Sequence, residues 1–228
     1  KKSLHENSDK ALKGKNIFVL NRTNRKSFLH LAATEENLSL INFLKETGHE
    51  INRQDAQHKT ALYDACDNLK LAAVNHLLGY DADPNLGNGH LGGESQKYGE
   101  IVPLVATIES KATVTATELA ATGQDFSQIM NDTPTEQARA KIVEKLITSH
   151  PNAADVNLQT GEENFSGLHR SIINLQPSTV KVFTDFKPTN FRLVDRDGQA
   201  PLHMVADYRN ENQKLNEQAN MQKEKQIT

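Results

Sequence analysis

The chain has 228 residues, 26 Lys and Arg against 29 Asp and Glu, a formal charge of −3, and 36% hydrophobic residues with no Trp. That balance gives no electrostatic reason to expect nucleic acid or an anionic membrane surface as partner. The lone cysteine, Cys66, excludes an internal disulfide, and no apolar run approaches the ~20 residues of a membrane span.

Residues 1–21 begin polar and lysine-rich, and Ala11, Leu12, Ile17, Phe18 and Leu20 suit part of an amphipathic N-terminal cap. A first helix-turn-helix unit occupies about 22–54, with Ser27 as N-cap and Leu29 on the apolar face. Its second helix, Leu38 to Thr47, ends at Gly48, a fitting C-cap. A second unit at 55–85 repeats the pattern: Thr60 caps, Leu62, Ala65 and Cys66 share one face, and Val74, Leu77 and Leu78 share the next. Cys66 stands where a small buried residue belongs, so filler is the expectation rather than a nucleophile.

The third unit, 86–157, carries two insertions, 86–101 and 110–133. Asn85 to Val102 takes seventeen residues where Asn52 to Thr60 takes eight. The Asn88-Gly89 pair predicts a prolonged hairpin there. The same stretch, Gly87 to Gly92, spells G-x-G-x-x-G, but a phosphate loop needs a strand before it and a helix opening straight after. His90 and Glu94 lack further ligands at zinc spacing. Neither a cofactor nor a metal is expected. After the first helix at Pro103, short helices are expected near 117–122 and 126–130. The unit's second helix is expected at about 134–149, with Thr133 as cap, Pro134 at the first position and Glu136 completing a capping box. Its buried face is Ile142, Val143, Leu146 and Ile147. A fourth unit follows at 158–191 and a fifth at 192–228. The second helix of the fifth, Glu211–Ala219, is polar enough for a solvent-facing terminal cap, and a single long helix over 202–225 is the alternative.

Five segments align: Ser27-Phe28-Leu29-His30, Thr60-Ala61-Leu62-Tyr63, Val102-Pro103-Leu104-Val105, Ser166-Gly167-Leu168-His169 and Ala200-Pro201-Leu202-His203. Their starts lie 33, 42, 64 and 34 residues apart. The pattern resembles the ankyrin repeat, of period ~33, over roughly residues 24–210. The resemblance implies an all-α solenoid of helix-turn-helix units with short β-hairpin fingers. It places Leu29, Leu62, Leu104, Leu168 and Leu202 in the stacked core, and gives His30, His169 and His203 a structural role, bonding backbone across repeats. Tyr63 and Val105 replace that histidine in two units.

Ankyrin stacks bind proteins through finger tips and the first helix of each unit, so the resemblance implies a non-catalytic scaffold for a protein partner. The chain is expected to be monomeric alone, with no nucleic acid and no membrane insertion. The residues that packing does not claim are the expected contacts. In the fingers these are Arg53, Gln57, His58, Lys59, Asn88, His90, Lys97, Tyr98, Glu162 and Arg196. On the first helices they are Asp64, Asp67, Asn68, Arg170, Asn174, Asp207 and Tyr208. A reducing, intracellular compartment fits the cysteine usage. The Asn- and Lys-rich composition also suits an effector of an intracellular bacterium, acting in host cytoplasm or nucleus. Two other readings stand beside the scaffold: the recognition part of a larger enzyme or effector, with activity elsewhere or in the insertions of the third unit, and a homotypic structural module.

Overall fold

The computed structural model describes residues 24–87, 102–114, 133–149 and 153–207. Among these, helices α1 (Phe28–Thr34), α2 (Leu38–Glu46), α3 (Ala61–Asp67), α4 (Leu71–Gly79), α5 (Pro103–Glu109), α6 (Pro134–Thr148), α7 (Gly167–Ile173) and α8 (Pro177–Asp185) follow in order. A ninth, α9, covers 201–207. The only strands among the described residues are β1 (Gln159–Thr160) and β2 (Phe165–Ser166). They form an antiparallel hairpin pairing Gln159 with Ser166 and Thr160 with Phe165. The architecture is an all-α solenoid with a minimal finger hairpin, as the sequence predicts.

Two rows of helices build the stack. The short helices α1, α3, α5 and α7 pack in sequence as an inner row, and α2, α4, α6 and α8 form the outer row behind them. No single pair buries its own apolar face, so the core runs continuously from Leu29 to Phe183 through the interfaces between pairs. Leu29, Leu62, Leu104 and Leu168 are all buried, as are Ile142, Val143, Leu146 and Ile147 of α6. Leu202 corrects the expectation for its row. It is 74% exposed, because no described helix lies behind α9 as α2 lies behind α1.

Hydrogen bonds between units hold the register. Ser27 N–H donates to His30 Nδ1 at 3.2 Å, which leaves Nε2 protonated to donate to the Lys59 carbonyl at 3.0 Å. His169 repeats the arrangement with Ser166 and the Gln199 carbonyl. These two histidines thus bond backbone across neighbouring units. Asparagines form a second ladder. Asn52 Oδ1 accepts from Asp83 N–H, Asn85 Oδ1 from Asp155 N–H, and Asn157 Oδ1 from Asn190 N–H, at 2.9, 2.9 and 2.7 Å. The Asn85 rung spans 70 residues, so the long third unit closes up and stacks like the others.

Carboxylates also reach between units. Glu36 Oε1 accepts from Ala72 N–H in the first turn of α4, and Glu136 Oε1 accepts from Thr179 N–H and its hydroxyl in the first turn of α8. Each satisfies an orphan N–H at a helix start. The capping box expected at α6 is therefore only half present. Thr133 Oγ1 accepts from Glu136 N–H, but the Glu136 carboxylate turns to the neighbouring unit instead of back to Thr133.

Cys66 is fully buried and its thiol pKa is pushed up by desolvation to about 12. A thiolate is the reactive species, so a thiol reagent is expected to label native Cys66 far more slowly than protein unfolded in urea. Equal rates in a timed labelling assay would contradict the burial.

Candidate protein-binding surface

Three of the expected site residues are claimed by packing. Asp64 is buried and accepts a hydrogen bond from Lys26 Nζ of the preceding unit at 2.7 Å. Burial pushes its carboxyl above the ordinary carboxylate range, and the Lys26 ammonium pulls it back. Asp64 thus joins two units instead of offering a free carboxylate. Arg170 is also engaged. Its guanidinium pairs with Glu109 of α5 and donates to Thr160 O and Oγ1 at 2.9 and 3.0 Å. Lys59 is half-buried, with Nζ 4.7 Å from the centre of the Tyr63 ring. Both Asp64 and Arg170 read as surface because charge alone says nothing about a partner on the adjacent unit.

The rest of the described set is accessible. Asp67, Asn174, Arg196 and Asp207 are exposed, as are Gln57 and Glu162. Arg53, His58 and Asn68 are half-buried. Asn88, His90, Lys97, Tyr98 and Tyr208 lie outside the described residues, together with all but the first two residues of the hairpin expected over 86–101, the N-terminal cap, the short helices near 117–122 and 126–130, and the helix at 211–219.

The last turns of the inner helices make a continuous edge. Thr34, Asp67, Glu109 and Ile173 occupy one register position on α1, α3, α5 and α7, and the last three are exposed. Glu109 was not among the expected contacts, although its register match to Asp67 is visible once α5 is placed by Pro103. Behind this edge sits Tyr63, buried, its phenol pKa raised by desolvation and by the carboxylates of Asp67, Asp64 and Glu109. The edge therefore carries an acidic centre, an apolar residue at one end in Ile173, and a cation in Arg170 that partly balances Glu109.

The stack explains how this surface stays in shape. Finger turns are fixed by Asp55 and Asp195. Their Oδ1 atoms each accept two backbone N–H bonds, from Gln57 and Lys59 and from Asp197 and Gln199. Neighbouring fingers are tied by Ala56 N–H to Asn24 O at 2.8 Å and Arg196 N–H to Glu163 O at 2.9 Å. His169 adds a pH response. Burial holds its pKa below the usual histidine value of 6.5, and burial does the same to His49. A base whose folded pKa is depressed contributes stability above its unfolded pKa and loses it as pH falls through the folded value. The urea midpoint is expected to fall between about pH 7.5 and pH 5, and His169→Gln should flatten that fall. An unchanged slope in the variant would remove His169 from the response.

This geometry, stacked helix pairs joined by histidine and asparagine rungs with finger turns along one edge, defines a helical repeat scaffold. Residues 3–88 match the family model of ankyrin repeats in three copies. The match begins inside the stretch read above as an N-terminal cap. A search of curated proteins gives no match to the chain. Ankyrin repeats are in general protein–protein interaction modules and typically non-catalytic. Among the described residues no helix is long and apolar enough to cross a membrane, and no three His, Cys, Asp or Glu side chains are grouped to hold a metal ion.

Proposed function

We propose that the chain is a non-catalytic scaffold that holds a partner protein along its finger tips and inner helices. The observation that carries this reading is the exposed edge Asp67–Glu109–Ile173 with Asn174 beside it. It is formed by helices whose buried residues are all committed to the stack. Such a surface costs little to present, because the backbone beneath it is already ordered. The charged centre sets partner choice and association rate more than total affinity. Arg53, His58, Arg196 and Asp207 extend the same surface onto the fingers and the last inner helix.

The test is quantitative capture from cytosol with the intact chain and with Asp67→Arg combined with Glu109→Gln, which keeps an oxygen acceptor for Arg170. A protein enriched by the intact chain and reduced tenfold or more by the variant, at unchanged melting temperature, supports the reading. Tenfold corresponds to about 1.4 kcal/mol. No enriched protein, or the same proteins retained by the variant, overturns the assignment of this edge.

A further inference from the structure

The far end of the stack carries an apolar groove of about 640 Å³, within the size range of formed binding sites. Its lining includes Ile172, Ile173, Leu175, Pro177, Val180 and Val205. It lies in the place where the outer helix paired with α9 would sit, beside α8 as α4 sits beside α2. Ile173 is 49% exposed, Leu175 58% and Val205 46%, so the lining is accessible.

The filled places in the outer row show what fits. Outer helices α2, α4 and α8 each begin four residues after the end of the preceding inner helix, at Leu38, Leu71 and Pro177. Each presents apolar residues at its first, fourth and seventh positions: Leu38, Ile41 and Leu44, then Leu71, Val74 and Leu77, then Pro177, Val180 and Phe183. Continued from residue 207, the same register reads Glu211, Lys214 and Glu217. Three charged side chains cannot replace three apolar ones in such a groove without large desolvation costs.

We infer that the groove receives an amphipathic helix from the partner protein, one with apolar residues at its first, fourth and seventh positions. This is helix-in-groove recognition in which the guest completes the outer row of the stack. The inference rests on the protein-binding reading above and names an adjoining surface that meets the edge at Ile173, so the two are tested at separate positions: the edge variant leaves Leu175 and Val205 intact, and the groove variants leave Asp67, Glu109 and Ile173 intact.

A fluorescent peptide copying residues 68–82, which includes the α4 register Leu71, Val74 and Leu77, serves as probe, with a control peptide carrying Glu, Lys and Glu at those positions. The full 228-residue chain is titrated by anisotropy alongside Val205→Asp and Leu175→Asp, both at exposed positions where the fold should persist, checked by circular dichroism. The expected result is saturable binding of the probe, at least tenfold weaker binding to both variants, and none of the control. Three results overturn the inference. One is no binding to the full chain. Another is binding that the variants leave unchanged. The third is binding that appears only after residues 208–228 are removed or the chain is diluted below a self-association point, which would make its own segment or a second copy the occupant.

Discussion

Arg139→Ala is expected to destabilise the stack by about 3–5 kcal/mol, the range for breaking a buried charged network. Arg139 is only 6% exposed, yet it lies on α6 and points into the unit with the longest connection between its two helices. Its Nη1 donates to the Thr107 carbonyl at 2.5 Å and the Ile108 carbonyl at 3.3 Å, and Nη2 donates to Ser110 O at 3.3 Å. Nε faces Glu136 Oε2, also at 3.3 Å. The last carbonyls of α5 are thereby satisfied. In α1, α3 and α7 the backbone N–H of the residue after the helix closes the turn. Desolvation lowers the Arg139 pKa, but Glu136 opposes it and the group stays charged. Arg139→Lys should recover little, since an ammonium cannot fork over three carbonyls. Lys181→Ala, in an exposed pair with Asp185, should cost almost nothing. Urea midpoints shifted equally by Arg139→Ala and Lys181→Ala would contradict this account.

Leu62→Ala should cost about 2–5 kcal/mol, through lost burial and the cavity left behind. Leu62 is 1% exposed, between α1 and α5 in the centre of the inner row. Leu202→Ala is the matched control. It removes the same atoms at the same motif position of α9, where the side chain is 74% exposed, and should cost less than about 0.5 kcal/mol. Similar losses from both in chemical denaturation would show that the two leucines share one environment.

The contrast between these leucines marks what could be read from the chain. Motif positions were legible because capping, helix-start prolines and apolar spacing are local: Thr60, Pro103 and Thr133-Pro134 start helices where expected, and the buried face of α6 follows from its period. What depends on a neighbouring unit was not legible. Leu202 satisfies every local rule and is uncovered. Asp64 and Arg170 look like surface charge and are held by Lys26 and Glu109 from adjacent units. Arg139 resembles a solvent-facing helical residue, because nothing in its local sequence reveals three carbonyls left open by an unusually long connection. Glu136 was assigned to its own helix and serves the next one. Within the candidate site, Asp67 and Asn174 were found by elimination, while Glu109 went unnoticed until α5 was seen beside α3.

The Asn85 rung bears on how the protein tolerates change. Asn85 meets the backbone at Ala153 and Asp155, and Val114 N–H meets Thr135 Oγ1 at 2.9 Å. Asn85 therefore ties the start of the third unit to its end, and the connection between α5 and α6 leaves and re-enters the stack at a fixed point. Entropy of a loop closed at fixed ends rises only slowly with its length. Sequence between such anchors can lengthen, shorten or drift at small thermodynamic cost, while the units on either side keep their nearest-neighbour coupling. The third unit is thus the place where the chain can carry extra sequence without rebuilding the solenoid around it.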